Sequence, residues 1–207
     1  MVSDNDLRST KRETVREAIL DAMGRLIERM GYHKTTIEDI ATEVGIGKGT
    51  VYLHFASKEE IALEWLDRTH ACMMGGLEAI AKCPEPALDR AEHFLVARVM
   101  LRFDRFATLP NSIEQMMAAL RPELMARKDV FHAREAELLA CLLQEIDVDR
   151  SEPALPAARA MISATNSLLP YSLRINEIGD RASVQRTATL IAELLIVGYT
   201  HLSAIET

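Results

Sequence analysis

Three residues at a fixed spacing constrain the N-terminal part of the chain more than any other feature. Ala41 is followed four positions later by Gly45 and six positions after that by Val51. A small residue lets two helices cross closely, a glycine allows a left-handed turn, and an apolar residue anchors the second helix in the core. The spacing predicts a helix-turn-helix over about residues 35–54. An ordinary helical hairpin is the alternative, since Ala and Gly at this distance are common.

Apolar residues recur at three- and four-residue intervals along the remainder of the chain, and no segment alternates as a strand does. Aromatic residues make up only 5%, and the chain has 9 Gly and 7 Pro. We therefore expect an all-α protein of about nine helices. A three-helix helix-turn-helix domain is predicted over residues 10–70 and a larger helical domain over 71–207. The two last helices are expected near residues 154–175 and 183–205.

Composition and spacing argue against several classes of protein. Hydrophobic residues make up 48% and charged residues 27%, which is not typical of a disordered chain. The polar N-terminal segment lacks a signal-peptide core, and no apolar run approaches the roughly 18 residues of a membrane span. The three Cys are far apart, without metal-type spacing. We therefore expect a cytoplasmic protein with no cofactor, no metal and no membrane association. The sequence contains no catalytic triad and no phosphate-binding loop, so we do not expect an enzyme.

Charge placement favours one segment for contact with DNA. The net charge of −7 keeps most of the surface away from phosphate, but residues 46–58 contain no acidic side chain. The second helix of the motif enters a major groove by its N-terminus, where glycines allow close approach and Lys48 can donate to guanine. The predicted DNA contacts in this segment are Gly47, Lys48, Gly49, Thr50, Tyr52, His54 and Lys58. Each could instead be a solvated surface residue.

The run from Arg12 through the fourth helix, centred on GYHKTTIEDIATEVGIGKGTVYLHFASKEEIALEWLDR, resembles the DNA-binding domain of TetR-family regulators. The family pattern G-[hydrophobic]-x-x-x-T-[hydrophobic]-Y-x-[HY]-F matches residues 45–55, and the following Lys matches Lys58. The resemblance implies a ligand-responsive transcriptional regulator, most often a repressor, with Thr35 or Thr36 on phosphate. It also implies a homodimer built from the last two helices. Beyond Arg68 only the layout is similar.

The C-terminal domain offers candidate dimer and ligand residues. Apolar seams on the last two helices predict a dimer interface, although burial within one chain is the alternative; its candidates are Ile162, Leu169, Ile191, Leu195, Gly198 and Leu202. Met-rich middle helices suit either a core or an adaptable cavity for a small molecule, with candidate residues Phe103, Met116, Met117, Asn166 and Tyr171. Arg98, Arg102 and Arg105 share one helical face, which is either solvated or faces an anionic ligand.

Two other functions remain open from the sequence alone. A helical interaction or assembly protein would bind a partner without salt-dependent affinity for DNA. A thiol-based redox-sensing regulator would use Cys72 or Cys141 in place of a ligand.

Overall fold

The computed structural model describes residues 4–107, 109–146, 153–169 and 179–205. Within these ranges it contains nine α-helices and no strand, which confirms the predicted all-α class. The helices are α1 Asp4–Met30, α2 Ile37–Val44, α3 Lys48–Tyr52, α4 Lys58–Lys82, α5 Ala87–Phe106, α6 Pro110–Ala119, α7 Arg121–Ile146, α8 Ala154–Thr165 and α9 Arg181–Ile205. No helix in the described part of the chain is long and apolar enough to cross a bilayer.

The end of α8 differs from the prediction. The helix stops at Thr165 and continues only as a 3₁₀ turn at Asn166–Leu168, whereas the apolar pattern predicted a helix to residue 175. Leu169 has an extended backbone (ψ 140°), because the proline that follows it disfavours the helical conformation. The remainder of the predicted helix, residues 170–175, lies outside the described residues.

The chain divides into two compact units. The first comprises Met1–Thr69 together with Asn111–Leu124, and the second comprises His70–Pro110 and Met125–Thr207. The helix-turn-helix therefore shares its unit with α6, which is distant in sequence. Helix α4 is continuous through residues 69 and 70, so it belongs to both units.

The first unit is held by a core between α1, the helix-turn-helix and α4. Its fully buried side chains include Ile19, Met23, Leu26, Ile40, Val51, Phe55 and Ile61. Gly24 permits close packing of α1 on α4, since a Cβ there would lie 2.6 Å from Trp65 Nε1. Helix α6 is attached by polar contacts: the Ser112 hydroxyl donates to the Ile27 carbonyl, and Gln115 Oε1 accepts from the His33 amide at 3.1 Å.

The second unit is built around two apolar clusters. The larger one contains the buried residues Leu77, Phe94, Leu95, Leu139, Leu143, Ile162 and Ile196. The smaller contains Val99, Met100, Phe103, Leu169, Val184 and Ala188. Two of the predicted dimer residues, Ile162 and Leu169, are thus buried within their own chain, at 2% and 0% exposure.

Candidate nucleic-acid interface

The turn between α2 and α3 fixes the direction of the third helix. Gly45 adopts the left-handed conformation (φ 76°), and the Ile46 amide donates back to the Ala41 carbonyl at 3.0 Å. This hydrogen bond closes the C-terminus of α2 and starts the chain in a new direction. Val51 is completely buried and anchors α3 to the core. The three residues whose spacing predicted the motif therefore occupy the positions that the motif requires.

The beginning of α2 is fixed by a capping box at Thr36. The Thr36 hydroxyl accepts from the Asp39 amide at 3.2 Å, and the Asp39 carboxylate accepts from the Thr36 amide at 2.9 Å. The hydrogen bonds from Thr36 lower the pKa of Asp39, which keeps the carboxylate charged at the helix N-terminus. Thr36, and not its neighbour Thr35, is therefore the N-cap of α2.

The outer face of α3 is open to solvent. We define the recognition surface as Gly47, Lys48, Gly49, Thr50 and Tyr52. Both glycines are exposed, the Tyr52 residue is 50% exposed, and the Lys48 side chain is 46% exposed. Thr50 is half-buried. The first turn of α3 therefore presents backbone, one cation and hydroxyl groups to solvent.

Two features of this surface were missed in the sequence. Lys48 Nζ donates to Glu38 Oε2 at 2.9 Å, so a carboxylate from α2 lies beside the principal cation of the surface. Leu53, directly after α3, is 73% exposed. Glu38 precedes Lys48 by ten residues and lies outside the acid-free segment 46–58, so nothing in the sequence indicated the contact between them.

Three residues that the sequence predicted to contact DNA lie outside the recognition surface. Thr35 is fully buried and its hydroxyl donates to the Gly31 carbonyl at 2.9 Å, so we leave it out of the proposed DNA contacts. Lys58 is half-buried, with Nζ 3.2 Å from the Tyr32 carbonyl and 4.3 Å from the centroid of the Tyr32 ring. His54 is half-buried, and burial, assisted by Arg12 and Arg16, lowers the pKa of its ring.

The candidate ligand residues do not form one group. Met116 is buried in the first unit, where Met117 is half-buried, whereas Phe103 is buried in the second unit. Asn166 belongs to the second unit and accepts a hydrogen bond from Arg98 Nη2. Tyr171 lies outside the described residues.

The exposed apolar face of α9 is rotated by one residue from the predicted seam. Ile191 and Leu195 are half-buried, Gly198 is exposed, and the side chain of Leu202 lies outside the described residues. The large apolar residues that α9 exposes are Leu190 at 55%, Leu194 at 64% and Val197 at 50%.

Of the two alternatives for the arginine face of α5, the solvated one is wrong for two of its three members. Arg98 is 0% and Arg102 is 3% exposed, and both guanidinium groups bind Glu135 of α7. Burial of a guanidinium requires a paired carboxylate, and the sequence did not reveal one because Glu135 is more than thirty residues away.

Comparison with known proteins identifies relatives over a large part of the chain. Residues 19–65 match the family described as "Bacterial regulatory proteins, tetR family". The transcriptional regulator BetI of Rhizobium meliloti is 29% identical over 180 residues, covering 83% of this chain and 85% of the relative. The transcriptional repressor Rv3405c of Mycobacterium tuberculosis is 34% identical over 141 residues, covering 63% of this chain and 74% of the relative.

Solved structures show the same fold. A transcriptional regulator from Cytophaga hutchinsonii superposes with a TM-score of 0.72 at 19% identity, covering 88% of this chain and 96% of that one. A regulator of the TetR/AcrR group from Thermobifida fusca gives a TM-score of 0.65 at 20% identity, covering 90% and 98%.

Proposed function

The chain belongs to the TetR family of DNA-binding transcriptional regulators, and we propose that it is a homodimeric repressor that a small molecule releases from a palindromic operator. The relative Rv3405c is named as a repressor, which favours repression over activation. We assign DNA binding to residues 10–70, and ligand binding and dimerisation to residues 71–207. Helix α6, although it lies in the second range, packs with the first unit.

One observation carries the DNA-binding proposal: the first turn of α3 is exposed while its anchor is buried. Val51 and the left-handed turn at Gly45 hold α3 rigidly, so Gly47, Lys48 and Gly49 project as a fixed edge. A helix presented in this way fits the major groove, which is roughly 12 Å wide. We propose that Lys48 contacts base edges and that Thr36, Thr50 and Tyr52 contact phosphates.

Lys58 and His54 support this edge. Lys58 binds the Tyr32 carbonyl, and the carbonyl of His54 accepts from Arg16 Nη1 at 2.7 Å. These contacts join α1 and the turn after it to the junction of α3 and α4, and we propose that they hold the recognition surface in place. The Lys58 side chain can reach a phosphate only by leaving the Tyr32 carbonyl.

Gel-shift assays on the operator and on unrelated duplexes test the assignment. Lys48→Ala should bind the operator more weakly and lose preference for it, since a specific contact to a base contributes about 1–3 kcal/mol of discrimination. Tyr52→Phe should weaken binding to all duplexes about equally, because a phosphate contact reads no sequence. Lys82→Ala, an exposed lysine of the second unit, is the control and should bind as the wild type does.

The result that rejects the assignment is equally direct. A Lys48→Ala protein that binds every duplex with wild-type affinity and preference removes Lys48 from the base contacts. If Tyr52→Phe is also silent, the surface on α3 is not the DNA-binding surface.

The homodimer proposal is supported by the free surfaces of α8 and α9. Helix α9 exposes Leu190, Leu194 and Val197 on one face. Helix α8 exposes mostly short side chains, which permit a partner helix to approach; its exposed residues are Pro156, Arg159, Ala160, Ser163 and Ala164. Two such pairs related by a two-fold axis would form a four-helix bundle, and the two recognition helices would then meet half-sites about 34–36 Å apart.

Release by a ligand requires a difference in affinity between two conformers. A ligand that empties the operator must bind the conformer with unsuitable half-site separation about a hundred- to ten-thousand-fold more tightly, or roughly 3–5.5 kcal/mol. Such a molecule would lower operator affinity without competing for the recognition surface. Titrating it into a preformed complex and following fluorescence anisotropy of labelled operator measures this directly.

A further inference from the structure

Leu53 is the most exposed large apolar residue in the part of the chain that the structure describes, at 73%. It follows Tyr52, which is 50% exposed and belongs to the recognition surface. A single exposed leucine is ordinary on a protein surface. The direction in which Leu53 points, and the space beside it, are what distinguish this one.

The backbone at Leu53 continues the helical geometry of α3. Its φ and ψ are −71° and −18°, and its amide donates to the Gly49 carbonyl at 3.2 Å. Successive residues of an α-helix are rotated by about 100°, so Leu53 lies roughly 200° around the axis from Val51. Val51 and Phe55, on either side of Leu53 in sequence, are buried at 0% and 1% exposure. Leu53 therefore points away from the core of the first unit.

Gly49 lies on the same outer side of α3 as Leu53, since residues four apart share one face of a helix. A Cβ at Gly49 would meet nothing within 4 Å, so the space above its backbone is open. A helical side chain leans over the turn that precedes it, which places Leu53 at the border of this space. Side chains four residues apart have Cβ atoms about 5–6 Å from each other. A methyl group above Gly49 would therefore contact Leu53.

The major groove of DNA contains one apolar group that fits such a space, the C5-methyl group of thymine. The other base edges in that groove present hydrogen-bonding groups, which a leucine side chain cannot pair. Residues 46–58 contain no acidic side chain, so the segment around Leu53 does not itself repel a duplex. The chemistry of Leu53 thus favours a thymine over a phosphate or a guanine.

We propose that Leu53 packs on the C5-methyl group of one thymine in each half-site, and that this methyl group enters the open space above Gly49. Lys48 and Leu53 are five residues apart, about 7.5 Å along the helix axis, so the two residues contact different base pairs. Leu53 is then a second specificity-determining residue of the recognition surface. The inference rests on the proposed contact of α3 with the major groove.

A deoxyuridine scan tests this contact, because deoxyuridine lacks the C5-methyl group and keeps every hydrogen-bonding group of thymidine. The wild-type protein first selects its preferred duplex from a random pool. Each thymine is then replaced at corresponding positions of both half-sites, and fluorescence anisotropy measures the affinity. Burial of one methyl group contributes about fourfold in affinity, so replacement in both half-sites should weaken wild-type binding about fifteenfold at one position.

Two variants of Leu53 separate a base contact from a structural role. Leu53→Ala should bind the selected duplex more weakly and should lose no further affinity when that one thymine is replaced. Leu53→Met keeps an apolar side chain of similar size and should remain sensitive to the replacement. A leucine with a structural role alone would change the affinity for all duplexes equally and leave the pattern of the scan as in the wild type.

The controls lie elsewhere on the chain and on α3 itself. Leu88→Ala changes a leucine of α5 that is 38% exposed and should give the wild-type scan. Thr50→Ser removes the only other aliphatic methyl group of the recognition surface and should leave the sensitivity to deoxyuridine intact. Because Leu53 is exposed, its variants should unfold at the wild-type temperature, which thermal unfolding checks.

The inference is overturned if no deoxyuridine replacement weakens wild-type binding, or if Leu53→Ala still loses affinity at the same thymine. A loss that only Thr50→Ser abolishes assigns the thymine to Thr50 instead. In each of these cases a wild-type protein that selects one duplex leaves the proposed function standing. A wild-type protein that selects no duplex overturns the proposed function, and the inference with it.

Discussion

His70 makes the stability of the second unit depend on pH. Its ring faces Arg102, Glu135, His132 and Arg134, and burial together with Arg102 lowers its pKa to about 4. The unfolded chain has the ordinary pKa of about 6.5. Between these values the unfolded chain binds a proton that the folded chain does not. The stabilisation is therefore complete above pH 6.5 and is lost as the pH falls towards 4.

Lowering the pH from 7.5 to 5 should reduce the free energy of unfolding by about 2 kcal/mol through His70 alone. Urea unfolding followed by circular dichroism at both pH values measures the difference. His70→Phe should show a smaller difference by that amount, whereas His93→Phe, which changes an exposed histidine, should retain the wild-type difference. Equal pH dependence in the wild type and in His70→Phe would show that His70 titrates normally in the folded protein.

Glu38 restrains the principal cation of the recognition surface. The hydrogen bond from Lys48 Nζ to Glu38 Oε2 raises the pKa of Lys48 and offsets its charge. A duplex that accepts a hydrogen bond from Lys48 must therefore compete with Glu38 for the same positive charge. Glu38 also places a negative charge near the phosphates. It therefore weakens binding to any duplex whose bases do not offset this repulsion by a specific contact with Lys48.

Glu38→Gln should therefore raise affinity for unrelated duplexes several-fold and reduce the preference for the operator. If Lys48 then gains a phosphate contact, the slope of log K against log salt should steepen by about 0.9. Fluorescence anisotropy between 50 and 200 mM salt measures both quantities. Glu137→Gln makes the same change of charge at an exposed site on α7 and should leave them unchanged. An operator preference unaffected by Glu38→Gln would exclude a role for Glu38 in specificity.

At the scale of the element, α2 and α3 could be predicted because their signals are local. The cap at Thr36, the left-handed Gly45 and the anchor Val51 lie within sixteen residues, and each acts through backbone geometry that its residue type determines. The sequence Ser57-Lys-Glu-Glu60 has the spacing of a second capping box, and one half of that box forms. The Glu60 amide donates to Ser57 Oγ, whereas the Glu60 carboxylate accepts from Ala56 and not from Ser57.

Two features of the second unit could not be predicted from the sequence: which face of α9 is buried, and the burial of two arginines on α5. Helix α9 is apolar on adjacent stripes, with Val184, Ala188, Ala192 and Ile196 buried beside the exposed Leu190, Leu194 and Val197. A periodicity near 3.5 fits either stripe, so it does not say which one faces the chain's own core. The burial of Arg98 and Arg102 depended on Glu135, which only the tertiary fold brings near.

Gly49 of α3 and Gly45 of the turn before it should respond in opposite ways to substitution by alanine. A Cβ at Gly49 meets nothing within 4 Å, so Gly49→Ala should stabilise α3 in the free protein by about 0.5–1 kcal/mol. Gly45 also has open space, but its φ of 76° is left-handed, so Gly45→Ala should cost about 1–2 kcal/mol. Thermal unfolding measures both changes.

The same Gly49→Ala variant tests how closely α3 approaches DNA. Because the new methyl group contacts no protein atom, any loss of operator affinity must arise at the duplex. We expect a loss of tenfold or more, since a single methyl group is enough to keep the backbone from the groove floor (about 1.4 kcal/mol per tenfold change). Wild-type affinity in a stabilised Gly49→Ala protein would show that the backbone at this position stays away from the bases.

On the scale of the whole molecule, the exposed face of α9 is the feature that a single chain leaves unexplained. Leu190, Leu194 and Val197 lie at successive turns of one helix, and each is at least 50% exposed. A continuous apolar face of this kind is typical of a surface that another protein covers. Two recognition helices are also needed, since one helix-turn-helix contacts too few base pairs for useful specificity.

Leu194→Glu should therefore produce a monomer, because it places two like charges near the two-fold axis of the proposed bundle and leaves the chain's own core intact. Sedimentation velocity at micromolar concentration distinguishes monomer from dimer, and the monomer should bind a half-site as weakly as it binds the full palindrome. Val130→Glu is the matched control: it changes an apolar residue of α7 that is 67% exposed and should remain dimeric. A Leu194→Glu protein that stays dimeric would mean that the pair forms through another surface. A wild-type protein that is monomeric under these conditions would remove the two-fold symmetry on which recognition of a palindrome depends.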